Sequence, residues 1–257
     1  MIIRLPRKFY AAGFLVPFIF SLFAVQGFGF SEEDIGRIER TLRDKPVGER
    51  IAGWAEKFVG TPYDGDPQGI YVTRAAIVVD EKVDCMYLTF RSVELALGHT
   101  PEEAIQIALE KRFHEKGRIL NGKVENYEDR YEYGEDMIAS GKWGKEITRS
   151  LGPTKRTAGT RGKDFWEILP KREMRRAMTR LRSGDLLFFI KAPERRTVGE
   201  SVGHMGIVKV ELKGRERSFY LIHASGSKNK GGMVRKVLLK EYVSKMPFIG
   251  VQVTRFQ

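Results

Sequence analysis

One cysteine and two histidines stand at positions where their side chains could form a nucleophilic site. Cys85 is the only cysteine in 257 residues, and it follows Asp84, a residue type that suits a helix N-cap. The apolar spacing after it predicts a buried helix that ends at Gly98. A thiol in the first turn of a helix lies at the positive end of the helix dipole, which favours the thiolate.

The two histidines lie at the outer ends of a predicted β-hairpin. His204 opens the run H-M-G-I-V-K-V-E-L, and His223 lies near the end of S-F-Y-L-I-H-A-S. A two-residue turn at Lys213 and Gly214 would place His204 directly opposite His223, with Cβ atoms about 5 Å apart. Any turn with an even number of residues keeps both side chains on one face of the sheet, because side chains alternate with period two.

These three residue types match the parts of a cysteine hydrolase. The thiol would be the nucleophile, one imidazole would take its proton, and a further polar group would hold that imidazole in place. Three alternatives stay open from the residues alone. The first is that Cys85 is inert packing or an intermolecular link, the second is that the histidines are ordinary strand residues, and the third is that all three residues are ligands of a zinc ion.

The elements that must position these residues follow from periodicity and capping signals. A turn-rich loop, G-T-P-Y-D-G-D-P-Q-G, precedes the cysteine helix, and a long polar segment separates that helix from the hairpin. The pattern predicts helices over 31–43, 48–59, 84–98, 100–111, 129–140 and 173–181, and strands over 71–79, 185–190, 204–212, 218–225 and 248–256.

The first thirty residues have the pattern of a secretory signal peptide. Arg4, Arg7 and Lys8 precede an apolar run of about 16 residues, short of the roughly 20 needed to span a bilayer. We expect cleavage near Gly27 or Gly29. The mature protein is therefore expected in the periplasm or cell envelope, exported, without a stable membrane anchor.

The protein is strongly basic. The formal net charge is +12, and removal of the three cations in the leader would leave about +9. Basic exported proteins meet carboxylate-rich peptidoglycan and anionic lipid head groups, whereas nucleic acid is disfavoured by location. About 230 residues would remain, enough for one domain, and the sequence has no evident internal repeat.

Several short motifs, in a fixed order, resemble the NlpC/p60 superfamily of papain-like cysteine peptidases. The quoted stretches are G-T-P-Y at 60–63, D-C at 84–85, S-G-D-L-L-F-F at 183–189, G-H-M-G-I-V at 203–208 and L-I-H-A-S at 221–225. The resemblance implies an α+β papain-like fold in which a cysteine-bearing helix packs on an antiparallel sheet. It also implies Cys85 as nucleophile, His204 as general base and His223 as the residue that orients His204. Tyr63 would place a hydroxyl near the thiol. No cofactor is implied.

The long segment between the cysteine and the histidines resembles the larger, N-acetylmuramoyl-L-alanine amidase-like branch of that superfamily. We interpret it as a helical and loop insertion at about 99–182, within a catalytic domain at 51–257 that follows a signal peptide at 1–27 and a helical segment at 28–50. The sequence departs from compact relatives at Met86 to Leu88, where they have S-G-L. Five aromatic residues of the insertion are expected to line a pocket for a muropeptide end: Tyr127, Tyr131, Tyr133, Trp143 and Trp166.

The expected activity is hydrolysis of an amide bond in peptidoglycan or its soluble fragments, between N-acetylmuramic acid and L-alanine. Two alternatives remain: an endopeptidase that cuts the stem peptide after D-glutamate, and a non-catalytic protein that binds the envelope. Tyr63, together with Arg195 and Arg196 in the basic loop before His204, is the candidate substrate-binding set. No metal is assigned.

Overall fold

The computed structural model describes residues 29–227 and 231–257. The predicted signal peptide at 1–27 lies outside the described residues. No helix among the described residues is long and apolar enough to cross a bilayer.

Helices and strands alternate irregularly along the chain, as in an α+β protein. The helices of the described residues are α1 (Glu32–Leu42), α2 (Val47–Lys57), α3 (Ile70–Thr73), α4 (Cys85–Leu97), α5 (Pro101–Lys111), α6 (Gly134–Ser140), α7 (Thr148–Leu151), α8 (Lys171–Ala177) and α9 (Leu239–Lys245). The strands are β1 (Ile119–Leu120), β2 (Lys123–Val124), β3 (Lys145–Glu146), β4 (Lys155–Ala158), β5 (Phe165–Pro170), β6 (Leu186–Ile190), β7 (Val202–Lys213), β8 (Glu216–Ser227), β9 (Gly231–Leu238) and β10 (Gly250–Arg255).

One antiparallel sheet organises the molecule. Its strand order is β4-β5-β10-β6-β7-β8-β9, and β3 pairs with β10 beside this path. Helices α2 and α4 cover one face of the sheet, and α8 and α9 lie on the other, so that two hydrophobic clusters form. The predicted arrangement of a cysteine-bearing helix on an antiparallel sheet is present.

A buried ionic network fixes α4 to its surroundings. Arg91 pairs with Asp80 in the preceding loop at 2.8 Å, and Glu94 accepts from Arg112 after α5 at 2.6 Å. All four side chains are at most 5% exposed. Buried charges of this kind need complete pairing, so the network favours one position of α4 relative to both neighbours.

The insertion is part of the same sheet. It supplies β3, β4 and β5, which extend the sheet beyond β10. Four of its five aromatic residues are buried, so the prediction that they line an open pocket is wrong for these four: Tyr127, Tyr131, Trp143 and Trp166. They belong to the main hydrophobic core, where Tyr127 packs on Tyr71 and Trp143 packs on Phe90 of α4. Tyr133 alone is partly exposed, with the Arg161 guanidinium 4.4 Å from its ring centre.

Several segments differ from the sequence prediction. The run 71–79 forms a short helix, α3, and a loop instead of a strand. The helix start is fixed because the Asp64 carboxylate accepts the backbone N–H of Ile70 at 2.5 Å. The Tyr71 ring packs on Tyr87, with 5.0 Å between the ring centres. β1 to β5, α7, β9 and α9 were not predicted at all, so the interpretation of the insertion as helices and loops alone is wrong. The proposed boundary between residues 50 and 51 falls inside α2.

Candidate active site

Cys85 is the first residue of α4. As predicted, Asp84 caps this helix, and its carboxylate accepts the backbone N–H of Tyr87 at 2.6 Å. The chain before the cap is held by the backbone bond from Val83 N–H to Pro62 O at 3.0 Å. The thiol is free and half-buried. The N-terminal end of α4 therefore carries the Cys85 thiol. This thiol is not inactivated by a disulfide bond.

The two histidines meet as predicted, although the hairpin register is not the predicted one. Lys213 pairs with Glu216, so the turn consists of Gly214 and Arg215. Gly214 has φ +62°, which suits the first central residue of a II′ turn. The prediction of a turn at Lys213 and Gly214 is therefore wrong, and the register is displaced by two residues. Since two is an even number, both histidines remain on one face.

The imidazoles form a direct hydrogen bond. The distance from His204 Nε2 to His223 Nδ1 is 2.8 Å, and the ring planes are nearly perpendicular at 85°. This bond leaves Nδ1 of His204 free. If Nδ1 takes a proton from the thiol, Nε2–H must donate to His223, which then keeps its own proton on Nε2. His223 thereby holds the tautomer that His204 needs as a base.

The sheet opens where the helix end reaches it. Pairing between β7 and β8 runs from the turn to Ile207 opposite Ile222, whereas β7 continues along β6 as far as Val202. Gly206 lies at the start of this opening, and a Cβ there would come within 2.8 Å of the Ile222 carbonyl oxygen and 3.1 Å of the His223 Cβ. Only glycine permits this close approach.

Backbone N–H groups surround the thiol. Those of Cys85, Met86 and Met205 are placed to stabilise a negative charge on sulfur. Met205 directly follows His204, so the structure brings the cysteine and both histidines to one place. The same N–H groups at a helix end could stabilise the oxyanion of an acyl-transfer reaction.

Burial keeps the resting site neutral. Burial, and then the charge of Asp84, raises the pKa of the Cys85 thiol to about 12. Burial, and then the neighbouring His223, lowers the pKa of His204 to about 3. Burial, and then the charge of Arg235, lowers the pKa of His223 to about 4. At neutral pH the site therefore holds a protonated thiol and two neutral imidazoles, and the proton must move as the thiol attacks.

Aromatic rings fix the orientation of the imidazole pair. The Phe248 ring is nearly parallel to that of His204, at 6.4 Å and 6°, and Phe189 lies 6.0 Å from His204. Tyr242 packs edge-on against His223 at 4.9 Å. Tyr242 and Phe248 were missed by the sequence analysis. They carry no motif, and they reach the site only through the fold of α9 and the segment after it.

Tyr63, a predicted substrate-binding residue, lies beside the thiol. Its backbone N–H donates to the Gly232 carbonyl at 2.9 Å, which attaches the loop before α4 to β9. Burial, and then the negative charge of an ionised Cys85, raises the pKa of the Tyr63 phenol to about 12. The hydroxyl therefore stays protonated and can donate a hydrogen bond close to the sulfur.

The basic loop between β6 and β7 carries the other two predicted substrate-binding residues, Arg195 and Arg196. Arg195 is exposed in a short 3₁₀ turn. The Arg196 guanidinium donates to the carbonyls of Ala158 at 2.9 Å and Lys191 at 3.3 Å, so it attaches the loop to β4. These contacts give Arg196 a structural role. Substrate binding by either arginine stays a prediction.

The insertion fixes the start of β7, the strand that carries His204. Glu135 of α6 is buried and accepts the backbone N–H groups of Ser201 at 2.7 Å and Val202 at 3.1 Å. Val202 is the first residue of β7, the strand that carries His204, and Ser201 directly precedes it. The insertion thus contributes to the site by fixing β7, a role that composition alone did not indicate.

Metal binding by the candidate residues finds no geometric support. Within 29–227 and 231–257, no group of three or more His, Cys, Asp or Glu side chains is arranged to hold an ion.

Solved structures share this fold. No protein-family model and no curated protein matches the chain. The crystal structure of an N-acetylmuramoyl-L-alanine amidase from Bacteroides uniformis superposes with a TM-score of 0.61 at 20% identity, over 82% of this chain and 99% of that one. A Legionella pneumophila protein of family DUF1460 superposes with a TM-score of 0.65 at 15% identity, over 86% and 93%. At these identities the likeness establishes the α+β fold alone.

Proposed function

We propose that the protein is a cysteine amidase that cleaves the bond between the lactyl group of N-acetylmuramic acid and L-alanine in peptidoglycan or its fragments. The observation that supports the proposal is that the backbone N–H of Met205 lies at the Cys85 thiol, at the start of α4, and directly follows His204, which is hydrogen-bonded to His223. The choice of this bond is supported by the fold shared with the Bacteroides amidase, and by the sequence resemblance to the amidase-like branch.

In the acylation step, Cys85 acts as the nucleophile and His204 acts as the base. The Cys85 sulfur attacks the lactyl carbonyl carbon, while its proton passes to Nδ1 of His204. The carbonyl oxygen becomes an oxyanion that accepts the backbone N–H of Cys85 and, in the same site, the hydroxyl of Tyr63. When the tetrahedral intermediate collapses, His204 gives its proton to the nitrogen of L-alanine. The stem peptide leaves as a free amine, and the muramoyl group remains as a thioester.

Deacylation reverses the roles. His204 takes a proton from water, the resulting hydroxide attacks the thioester carbonyl, and the thiolate of Cys85 leaves and recovers the proton. The products are N-acetylmuramic acid, with a free carboxylate, and the stem peptide. His223 keeps the His204 ring oriented through both steps because their hydrogen bond uses Nε2 of His204 and leaves Nδ1 for the proton transfer.

Export is a further part of the proposal. The cationic leader with its apolar run supports secretion to the periplasm or cell envelope. A basic protein there would meet the anionic carboxylates of the stem peptides, and the attraction would raise the rate of encounter. Soluble muropeptides are the simplest such partners.

The proposal is tested by identifying the products from one defined substrate. We expect the purified protein to convert N-acetylmuramoyl-L-alanyl-D-isoglutamate that carries a third residue into N-acetylmuramic acid and a peptide beginning with L-alanine, as read by liquid chromatography and mass spectrometry. The Cys85→Ser variant serves as the matched control. A product that begins at the residue after D-glutamate would replace the amidase with the endopeptidase. If the wild-type protein binds the substrate but releases no product, the protein is not this enzyme.

A further inference from the structure

Arg235 lies beside the histidine pair, on the strand next to it. It is directly opposite His223 in the pairing of β8 with β9. Residues opposed in this way project from the same face of the sheet, with Cβ atoms about 5 Å apart. The charge of Arg235 is also one of the two causes that lower the pKa of His223. The guanidinium is therefore within electrostatic reach of the candidate catalytic site.

This cation is available to a ligand. The next residue, Lys236, is neutralised by Glu56 and Glu211. In contrast, the exposed side chain of Arg235 makes neither an ion pair nor a hydrogen bond with any other described residue. A free positive charge at this place opposes the development of charge on His223. It does not help the proton transfer, so binding is the role that its position favours.

An apolar hollow lies on the same face of the sheet as Arg235. It encloses about 310 Å³ and is lined by Val237, Tyr242, Met246 and Pro247, with Glu241 and Lys245 at its edge. Val237 is two residues after Arg235 on β9, and Tyr242 is the ring that packs against His223. The hollow and the histidine pair therefore share Tyr242, and Arg235 lies between Val237 and the strand position opposite His223.

We propose that Arg235 is a specificity-determining residue that binds the free carboxylate of the D-glutamate in the leaving stem peptide. This inference rests on the proposed function. On the sugar side of the scissile amide, N-acetylmuramic acid offers hydroxyl and acetamido groups, whereas the peptide side carries carboxylates. A guanidinium binds a carboxylate through two parallel hydrogen bonds. Arg235 would therefore direct the stem peptide over β9 and α9, with the sugar on the opposite side of Cys85.

The test compares two substrates that differ in one group. One is N-acetylmuramoyl-L-alanyl-D-isoglutamate with a third residue bound to its γ-carboxyl group, and the other is its D-isoglutamine form with the same third residue, in which the free α-carboxylate is an amide. Wild-type protein and the variants Arg235→Gln and Arg235→Lys are measured at about pH 8, where neutral imidazoles remove any effect through the pKa of His223. Arg215→Gln makes the same charge change at the far end of the β7–β8 hairpin and is the matched control.

We expect wild-type protein to favour the acid over the amide by about 10- to 100-fold in kcat/KM, the range for one hydrogen-bonded charge pair. Arg235→Gln should lose this preference, mainly through a higher KM for the acid, and should change the rate on the amide by less than about twofold. Arg235→Lys should keep part of the preference, and Arg215→Gln all of it.

Two results would overturn the inference while leaving the proposed function intact. One is equal hydrolysis of acid and amide by the wild-type protein. The other is an equal loss on both substrates in Arg235→Gln, which would indicate a structural role or an effect on His223. Failure of the wild-type protein to release L-alanyl peptide from either substrate would instead overturn the proposed function, and the inference with it.

Discussion

The Cys85→Ser variant should hydrolyse the muropeptide at least about a thousandfold more slowly than the wild-type protein, because loss of the nucleophile in a cooperating catalytic group usually has effects of this size. A serine hydroxyl has nearly the same shape but is a much weaker nucleophile when its base is a neutral imidazole. The measurement is the initial rate of L-alanyl peptide release at saturating substrate.

The control for this variant is its stability. Cys85 is half-buried and forms no disulfide, and the cap of α4 is made by Asp84. Serine at this position should therefore change the melting temperature by less than about 4 °C, which is about 1 kcal/mol for a chain of this size. A folded variant that retains more than about a tenth of the wild-type rate would exclude Cys85 as the nucleophile.

The His204→Ala variant should lose activity to a similar extent, at least about a thousandfold, because it removes the group that accepts the thiol proton. His223→Ala should lose less. Its hydrogen bond to His204 orients the base, and water or another polar group can replace part of that function. The measurement is kcat for both variants on the same muropeptide. Equal and small losses in both variants would show that neither imidazole takes part in the proton transfer.

Stability at low pH provides an independent control for His204. The pKa of His204 is lowered from 6.5 to about 3 by burial, so the unfolded chain binds its proton more readily between these values. The free energy of unfolding should therefore fall as the pH falls through this window, by at most about 1.4 kcal/mol per pH unit for one proton. His204→Ala should show a shallower decline in urea titrations. The carboxyl of Asp84, whose pKa is raised to about 6 by burial, acts with the opposite sign in both proteins and cancels.

The features that the sequence predicted correctly are local ones. Asp84 before an apolar helical repeat predicts the cap and α4, since both depend on neighbours within one turn. The shared face of His204 and His223 also follows from spacing, because any even slip of the register preserves it. The exact register did not follow. It depends on which turn position Gly214 occupies, and both positions tolerate glycine.

The features that were missed depend on contacts between distant segments. β9 has a single fully buried apolar residue in its centre, Val234, and gains its strand form from β8 on one side and from Thr61 and Tyr63 on the other. Tyr242 and Phe248 reach the histidines only because α9 packs on the sheet. The buried aromatics of the insertion were misjudged because composition cannot distinguish a ring in a core from one in a pocket.

The proposed mechanism depends on a covalent thioester at Cys85, and hydroxylamine can capture its acyl group. Hydroxylamine competes with water for a thioester, so it captures the acyl group even when the intermediate does not accumulate. With a defined muramoyl peptide, we predict N-acetylmuramoyl hydroxamate in amounts that rise with hydroxylamine concentration, undiminished release of the L-alanyl peptide, and neither product from Cys85→Ser. A hydroxamate on the side-chain carbonyl of D-glutamate, or N-acetylmuramic acid as the sole acyl product at every concentration, would contradict the account.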